Sequence, residues 1–185
     1  MDIKYKESRE VHAVGGYAVA SYSISRPLLP EDSYIEELYA RAVEAYTEYV
    51  KVMAFSRAER EFGASEGGGF PTVRYLLDIY VSDMTEEYIS IVVDSTVLRG
   101  IELSDCNRRA AVWSRSELAP VKLGELETLV GKKALSPKRR SRYYDGFYLS
   151  EGAPVFFKKL QIPFENHRIR HRELHFLTEK PGFAT

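Results

Sequence analysis

The chain has 185 residues, of which 44% are hydrophobic and 29% charged, and its formal net charge is -1. This length suits one folded domain, the composition excludes a largely disordered chain, and a pI near 6.5 argues against a dedicated nucleic-acid binder. A single cysteine, Cys106, excludes an internal disulfide and any multi-cysteine zinc or iron–sulfur site. We therefore expect one domain over residues 1–185.

The N-terminal residues lack the apolar run and cleavage site of a signal peptide. No stretch approaches the roughly 18 consecutive apolar residues of a membrane span. The chain as written is therefore predicted to be cytoplasmic, with a trimmed extracytoplasmic domain as the alternative.

The first predicted elements are a strand and a long helix. Residues 16–24, "GYAVASYSI", alternate as a half-buried strand does. Ser33 followed by Glu36 forms a capping-box pattern where a 3.6-residue periodicity begins, so a helix is predicted over 33–62. Its predicted buried stripe consists of Ile35, Leu38, Tyr39, Ala42, Val43, Tyr46, Val50 and Met53. Gly63 is the predicted C-cap, and the glycine-rich run 63–71 is predicted to be a flexible loop.

Two strands are predicted next, at 73–81 and 88–98, because β-branched and aromatic residues alternate there with polar ones. The short polar link between them indicates an antiparallel hairpin. One face of this hairpin is apolar and suits the long helix. Asp78 and Asp94 fall on the opposite face, where solvated carboxylates are expected more often than a site.

The remaining elements are predicted from weaker sequence patterns. A loop is predicted at 100–107, a strand at 108–113, a short helix at 121–131, and a hairpin formed by "GFYLS" and "APVFFKKL" around Glu151-Gly152. A final extended piece contains "HRIRHRELH". The predicted fold class is α+β: an antiparallel sheet packed against one long helix, with a short second helix.

Three histidines in the final piece, His167, His171 and His175, are spaced four residues apart. On a helix this spacing is about 6 Å and permits a shared metal, whereas on a strand it spans about 13 Å. The segment has no helical apolar stripe, so a strand is favoured. A shared metal is thereby disfavoured, and these histidines stay weak candidates for a metal site.

Positive charge is concentrated near the C-terminal end. Residues 132–185 contain 12 Lys and Arg against 5 Asp and Glu. Such a surface either compensates acidic residues of the same fold or contacts an anionic partner. The candidate binding residues are Lys138, Arg139, Arg140, Arg142, Lys158, Lys159, Arg168, Arg170 and Arg172.

Motifs of catalysis are missing from the sequence. There is no nucleophile elbow, HExxH helix or dinucleotide fingerprint. We therefore expect a non-enzymatic protein with no cofactor. A metal-dependent or hydrolytic enzyme that uses the C-terminal histidines is the alternative.

Several phrases of the sequence resemble a bacterial domain family of largely unknown function. They are "YSISRPLLPEDSYIEELYARAVEAY", "YISIVVDSTVLRG", "PVKLGELETLVG" and "GFYLSEGAPVFFKKLQIPF". The likeness covers roughly residues 16–176, and it implies that the core of the domain lies within this range. The family is best known from the lysozyme-binding ectodomain of the sigma-V anti-sigma factor and from a non-catalytic module of peptidoglycan deacetylases. The resemblance implies a binding or regulatory module, related to the cell envelope, that recognises a protein or an anionic polymer. It implies no functional residue, and the loop "RGIELSDCNRR" departs from the family by lacking a histidine.

Overall fold

The computed structural model describes residues 3–65, 69–125, 145–159 and 176–179. These residues form two compact units. Unit 1 holds the described residues of 1–79 and 94–106, and unit 2 holds those of 80–93, 107–164 and 174–185. The single-domain organisation stays a prediction.

A six-stranded sheet and a three-stranded sheet make up the β-structure of the described residues. The six strands follow chain order across their sheet: β1 (Tyr5–Val14), β2 (Tyr17–Pro27), β3 (Val73–Met84), β4 (Tyr88–Arg99), β5 (Glu102–Ser114) and β6 (Ala119–Pro120). The smaller sheet contains β7 (Gly146–Ser150), β8 (Ala153–Lys159) and β9 (Phe176–Glu179), in that order. The α+β prediction is confirmed, but the single sheet was wrong.

Strand β1 was not predicted. It pairs antiparallel with β2 through a turn at Gly15 and Gly16, whose φ angles of 58° and 85° suit glycine. Its side chains are exposed or only half-buried, as is common in a strand at the edge of a sheet. An edge strand with charged residues on both faces lacks the apolar alternation by which strands are predicted.

Strands β2 and β3 pair in parallel, with Ala20 opposite Val73 and Ile24 opposite Leu77. The wholly antiparallel sheet was therefore a wrong prediction, although the sheet is mostly antiparallel. The physical reason is the long helix between these two strands. A helical crossover returns the chain to the same end of the sheet, so the next strand runs parallel.

The long helix begins as predicted, but its capping differs. It consists of α1 (Ser33–Tyr49), a π-helical segment (Val50–Ala54) and α2 (Phe55–Ala64), after a single 3-10 turn. The N-cap is Asp32, and Glu36 accepts a hydrogen bond from the backbone N–H of Leu29 at 2.6 Å instead of closing a box on Ser33. Gly63 lies inside α2, whose C-cap is Ser65, so the predicted end was early.

The core of unit 1 lies where the helix packs on β2. Buried helix residues are Ile35, Tyr39, Val50, Ala54, Phe55 and Ala58, and buried strand residues include Ala20, Tyr22, Ile24, Val73 and Leu77. Phe55 stacks on both His12 of β1 and Tyr22 of β2, with ring centroids 5.0 and 6.2 Å apart. The helix therefore holds the first strands of the sheet together through apolar contact.

The first half of β4, in unit 2, is buried on both faces. Ile89 and Ile91 lie on one face and Tyr88, Ser90 and Val92 on the other. The Ser90 hydroxyl accepts a hydrogen bond from the backbone N–H of Leu149 in β7 at 2.9 Å. The expectation of one solvated face was therefore wrong for this half of the strand.

Later elements confirm the predicted hairpin and extend the predicted strand at 108–113. Strand β5 begins at Glu102 after a tight turn at Gly100, so the loop predicted at 100–107 was wrong. Strands β7 and β8 pair antiparallel around Glu151 and Gly152, and the Asp83 carboxylate accepts a hydrogen bond from the Gly152 N–H at 2.7 Å. Of the predicted short helix, residues 123–125 are helical and 126–131 lie outside the described residues.

Candidate binding surface

An apolar row runs along the solvent-exposed side of the long helix. It consists of Tyr34, Leu38, Tyr49, Val52 and Met53, with exposed Ala42 and Ala45 in its middle. We call these seven residues the helix ridge. Their spacing of three or four residues places them along one side of a helix. The five large side chains are between 39% and 60% exposed, which is unusual for so many neighbouring apolar groups.

The π-helical segment brings buried and exposed apolar residues close together in the sequence. Phe55 donates its backbone N–H to the carbonyl of Val50, a bond five residues long that accommodates one residue more than an α-helical turn. As a result Val50 and Ala54 are buried, whereas Val52 and Met53 between them are 58% and 60% exposed. The π segment thus supplies two apolar side chains to the ridge without removing any from the core.

The predicted buried stripe was wider than the observed one. Ile35, Tyr39 and Val50 are buried as predicted, but Leu38, Ala42 and Met53 belong to the exposed ridge. The signal that could have separated them is the width of the apolar arc. An arc that includes Tyr34, Ala45 and Tyr49 as well is broader than a single packing face requires.

Charged residues border the ridge along one side of α1. Arg41 donates to the carboxylate of Glu37 one turn earlier, and both side chains are exposed. Glu44 and Glu48 follow at the same side of the helix, and both are exposed. Charged side chains thus border one side of the apolar row.

A tyrosine cluster lies where the helix meets β3. Burial and the neighbouring Tyr75, Tyr49 and Asp105 raise the pKa of Tyr46 to about 12, and burial and Tyr49 raise the pKa of Tyr75. The phenols of Tyr46 and Tyr75 therefore stay neutral at physiological pH. Tyr49 belongs both to this cluster and to the helix ridge.

An ionic cluster joins α2 to β4. Glu61 accepts hydrogen bonds from Arg57 at 2.8 Å and from Arg99 at 2.7 Å. Both bonds lower the pKa of the Glu61 carboxyl, so it is ionised throughout the neutral range. All three side chains are at least 32% exposed, so the cluster orients α2 more than it stabilises it.

Strand β1 contributes a second ionic group. This group was not predicted from the sequence because the strand itself was not predicted. Lys51 of the π segment lies 2.5 Å from the carboxylate of Glu10 and above the Tyr22 ring, and this pairing lowers the pKa of Glu10. His12 stacks on Phe55 with its Nε2 3.4 Å from the carboxylate of Glu59. The contacts attach the edge strand to the helix.

Asp78 and Asp94 were expected to be solvated. Asp94 is instead buried, at 9% exposure, while Asp78 is exposed. Burial and then the Asp94 charge raise the pKa of Asp78, and a hydrogen bond to Ser25 opposes them. The two carboxyls are therefore electrostatically coupled.

Most of the predicted site residues lie outside the described residues. These are Lys138, Arg139, Arg140, Arg142, Arg168, Arg170 and Arg172 of the basic surface and His167, His171 and His175 of the weak metal candidates. Lys158 lies on β8 and is exposed, and Lys159 ends that strand. Cys106 is buried in β5 at 1% exposure. The described residues contain no cluster of three or more His, Cys, Asp or Glu that could hold a metal.

Within the part of the chain that the structure describes, no helix has both the length and the apolar character needed to cross a membrane.

The chain was compared with known proteins. No protein-family model matches it, and no curated protein matches it. Among solved structures, it is similar to a DUF3298 family member from Bacteroides fragilis, with a TM-score of 0.54 and 15% identity over 85% of this chain and 84% of that one. A DUF3298 family protein from Pseudomonas aeruginosa PAO1 gives a TM-score of 0.53 and 14% identity over 97% of this chain and 89% of that one. The chain therefore shares the fold of a domain of unknown function.

Proposed function

We propose that this chain is a non-enzymatic binding module that docks a protein partner on its helix ridge. The observation that carries the proposal is the continuous exposure of Tyr34, Leu38, Tyr49, Val52 and Met53. Single exposed apolar residues are normal on a protein surface, but a contiguous apolar row with a polar rim is typical of an interaction site. Tyrosine and methionine are enriched at such sites.

The envelope-related role implied by the sequence resemblance is part of this proposal. The similar solved structures support the fold and name no partner. A binding or regulatory module needs a surface and no reaction centre, and the helix ridge meets that need. The likeness to the lysozyme-binding ectodomain and the deacetylase module stays a prediction.

A photo-crosslinking experiment tests the protein-docking role. A benzophenone amino acid at Met53, exposed to extract from the source organism, should capture one defined protein, and the same group at Glu44 on the rim should not. Leu38→Asp lies at the other end of the ridge and should abolish the Met53 adduct, because docking needs the whole row. Equal capture from both positions, or an adduct unaffected by Leu38→Asp, would contradict docking on the ridge.

An anionic polymer is the second candidate partner. It is favoured by the positive charge of residues 132–185 and by the exposure of Lys158 on β8. The basic surface comprises 132–142 and 158–172. Reversing the charges of Arg139 and Arg140 should weaken salt-sensitive binding to an anionic wall polymer without lowering the melting temperature. Equal binding by the wild type and the variant would remove this surface from consideration.

A further inference from the structure

We propose that strand β1 pairs antiparallel with β1 of a second copy of this chain, so that two sheets join edge to edge. This surface contains no residue of the helix ridge, and the pairing is independent of the docking proposed there. β1 is the long edge of its sheet, because it begins the strand order and the opposite edge, β6, has only two residues. Among the described residues, β2 is the only strand that pairs with it.

The backbone of β1 decides which of its residues are free to pair. The Leu28 N–H donates a hydrogen bond to the carbonyl of Lys4 at 2.8 Å, in the same register that sets Lys6 opposite Arg26. Hydrogen-bonded residues alternate along an antiparallel strand. The even-numbered residues from 4 to 12 therefore turn their N–H and C=O groups to β2, and the odd-numbered ones turn theirs outwards. The residues with outward groups are Tyr5, Glu7, Arg9 and Val11.

The charges of these outward residues select a second copy and one register. With a two-fold axis through Ser8, Glu7 of each copy lies opposite Arg9 of the other, and this contact occurs twice. Both side chains are exposed, and neither has a hydrogen bond or an ion pair among the described residues. Moving the axis by one residue sets Glu7 against Glu7 or Arg9 against Arg9. The charges that ordinarily keep edge strands apart thus favour this register over its neighbours.

The apolar residues near the two ends of β1 agree with the same register. Tyr5 and Val11 are 41% and 62% exposed, and they share a side of the strand with Glu7 and Arg9. The axis through Ser8 brings Tyr5 of one copy opposite Val11 of the other. An aromatic ring beside a β-branched side chain is a favourable cross-strand pair. Each exposed apolar group is therefore covered by the other copy.

The other side of β1, which faces the long helix, accommodates the pairing. Lys6 lies opposite Glu10 there, but the Glu10 carboxylate already pairs with Lys51, so this contact adds little. A two-fold axis perpendicular to the sheet keeps the long helices of both copies on this side. Each helix packs on β2, and the two β2 strands lie three strand spacings, about 14 Å, apart. Packed helices need about 8–10 Å, so both fit.

Sedimentation velocity over a concentration series tests the pairing. The wild type should sediment as a dimer at high concentration and dissociate on dilution. Arg9→Glu and Glu7→Arg change the net charge in opposite directions, and each should weaken dimerisation about tenfold, since two attractive contacts become repulsive. The double variant should restore it, and Lys122→Glu, a charge reversal at an exposed position away from β1, should have no effect. A wild type that is monomeric at every concentration, or a double variant no stronger than the single ones, overturns the inference.

A cysteine at the axis tests the register. The two Ser8 residues face each other at a position without hydrogen bonds, where the Cα atoms are about 4.5 Å apart, which suits a disulfide. Oxidised Ser8→Cys should therefore form a covalent dimer, and Ser116→Cys in an exposed turn should not. Equally efficient crosslinking from both positions would overturn the register.

A proline in β1 separates this dimer from association through the helix ridge. Val11→Pro removes an outward N–H that β2 does not use, so it should leave the circular dichroism unchanged and the chain monomeric. Met53→Glu on the helix ridge should leave the dimer intact. A dimer that survives Val11→Pro and is lost in Met53→Glu overturns the edge pairing.

Discussion

The two sides of the long helix differ in what surrounds them and are almost alike in composition. The inner side presents Ile35, Tyr39, Val50 and Phe55 to the sheet, and all four are buried. The outer ridge presents Leu38, Tyr49, Val52 and Met53, which are equally apolar and exposed. Apolar character alone therefore does not identify the core of this protein. The outer side has the composition of a packing face, but no element among the described residues covers it.

The largest expected effect separates the two sides by stability. Phe55→Ala removes a buried ring that stacks on His12 and Tyr22, so the free energy of unfolding should fall by about 3–5 kcal/mol. Val52→Ala on the ridge should change it by less than about 0.5 kcal/mol. Urea unfolding of the two variants measures both values. Comparable losses would mean that the ridge is covered in the folded chain.

A smaller loss is expected at the start of the helix. Glu36 accepts hydrogen bonds from the Leu29 N–H and from Arg26, and its side chain is 24% exposed. Glu36→Ala leaves both donors without this acceptor and should cost about 1–3 kcal/mol. The neighbouring Glu37→Ala loses only an exposed pair with Arg41 and should cost a few tenths of a kcal/mol. Similar losses in thermal unfolding would show that Glu36 does not anchor the helix.

The ionic cluster of α2 should make stability depend on pH in the acidic range. Hydrogen bonds from Arg57 and Arg99 lower the pKa of Glu61 below its ordinary value of 4.5. A carboxyl whose pKa is lowered by folding stabilises the folded state at every pH above its ordinary pKa. This contribution to stability disappears as the pH falls through the pKa of the folded state. The melting temperature of Glu61→Gln should thus be below the wild type at pH 7 and approach it towards pH 3. A constant difference, or one as large in Glu44→Gln, would refute the role of this carboxylate.

The parts of the fold that could be predicted are the elements whose structure is reported by a local sequence pattern. Strands β3 and β4 are rich in β-branched and aromatic residues, and the long helix has a strong 3.6-residue period, so these elements were predicted. Strand β1 has exposed charges and is stabilised by pairing with β2, which no local pattern reports. The parallel pairing of β2 and β3 is likewise a property of the crossover and not of either strand.

The helix ridge was not predicted because the periodicity that predicted the helix also assigned residues of the ridge to the core. Periodicity detects apolar residues on a helix but does not say how many elements cover them, so Leu38, Ala42 and Met53 were assigned to the core. Burial of Asp94 was missed for the related reason that a polar residue in an alternating strand is read as solvated. Both errors concern coverage, which depends on tertiary contacts absent from any local pattern.

A small effect is expected from deleting Val52. The π segment accommodates one residue beyond an α-helical turn, so removing one restores α-helical bonding and leaves Val50, Ala54 and Phe55 facing the core. The free energy of unfolding should therefore change by less than about 1 kcal/mol, while the ridge loses one apolar side chain. Deleting Ala45 from α1 instead rotates one part of the helix by about 100° relative to the other and should prevent cooperative unfolding. Circular dichroism and urea unfolding of both deletions compare them directly. If the Val52 deletion unfolds as readily as the Ala45 deletion, the π segment is required for the core and does not serve the ridge alone.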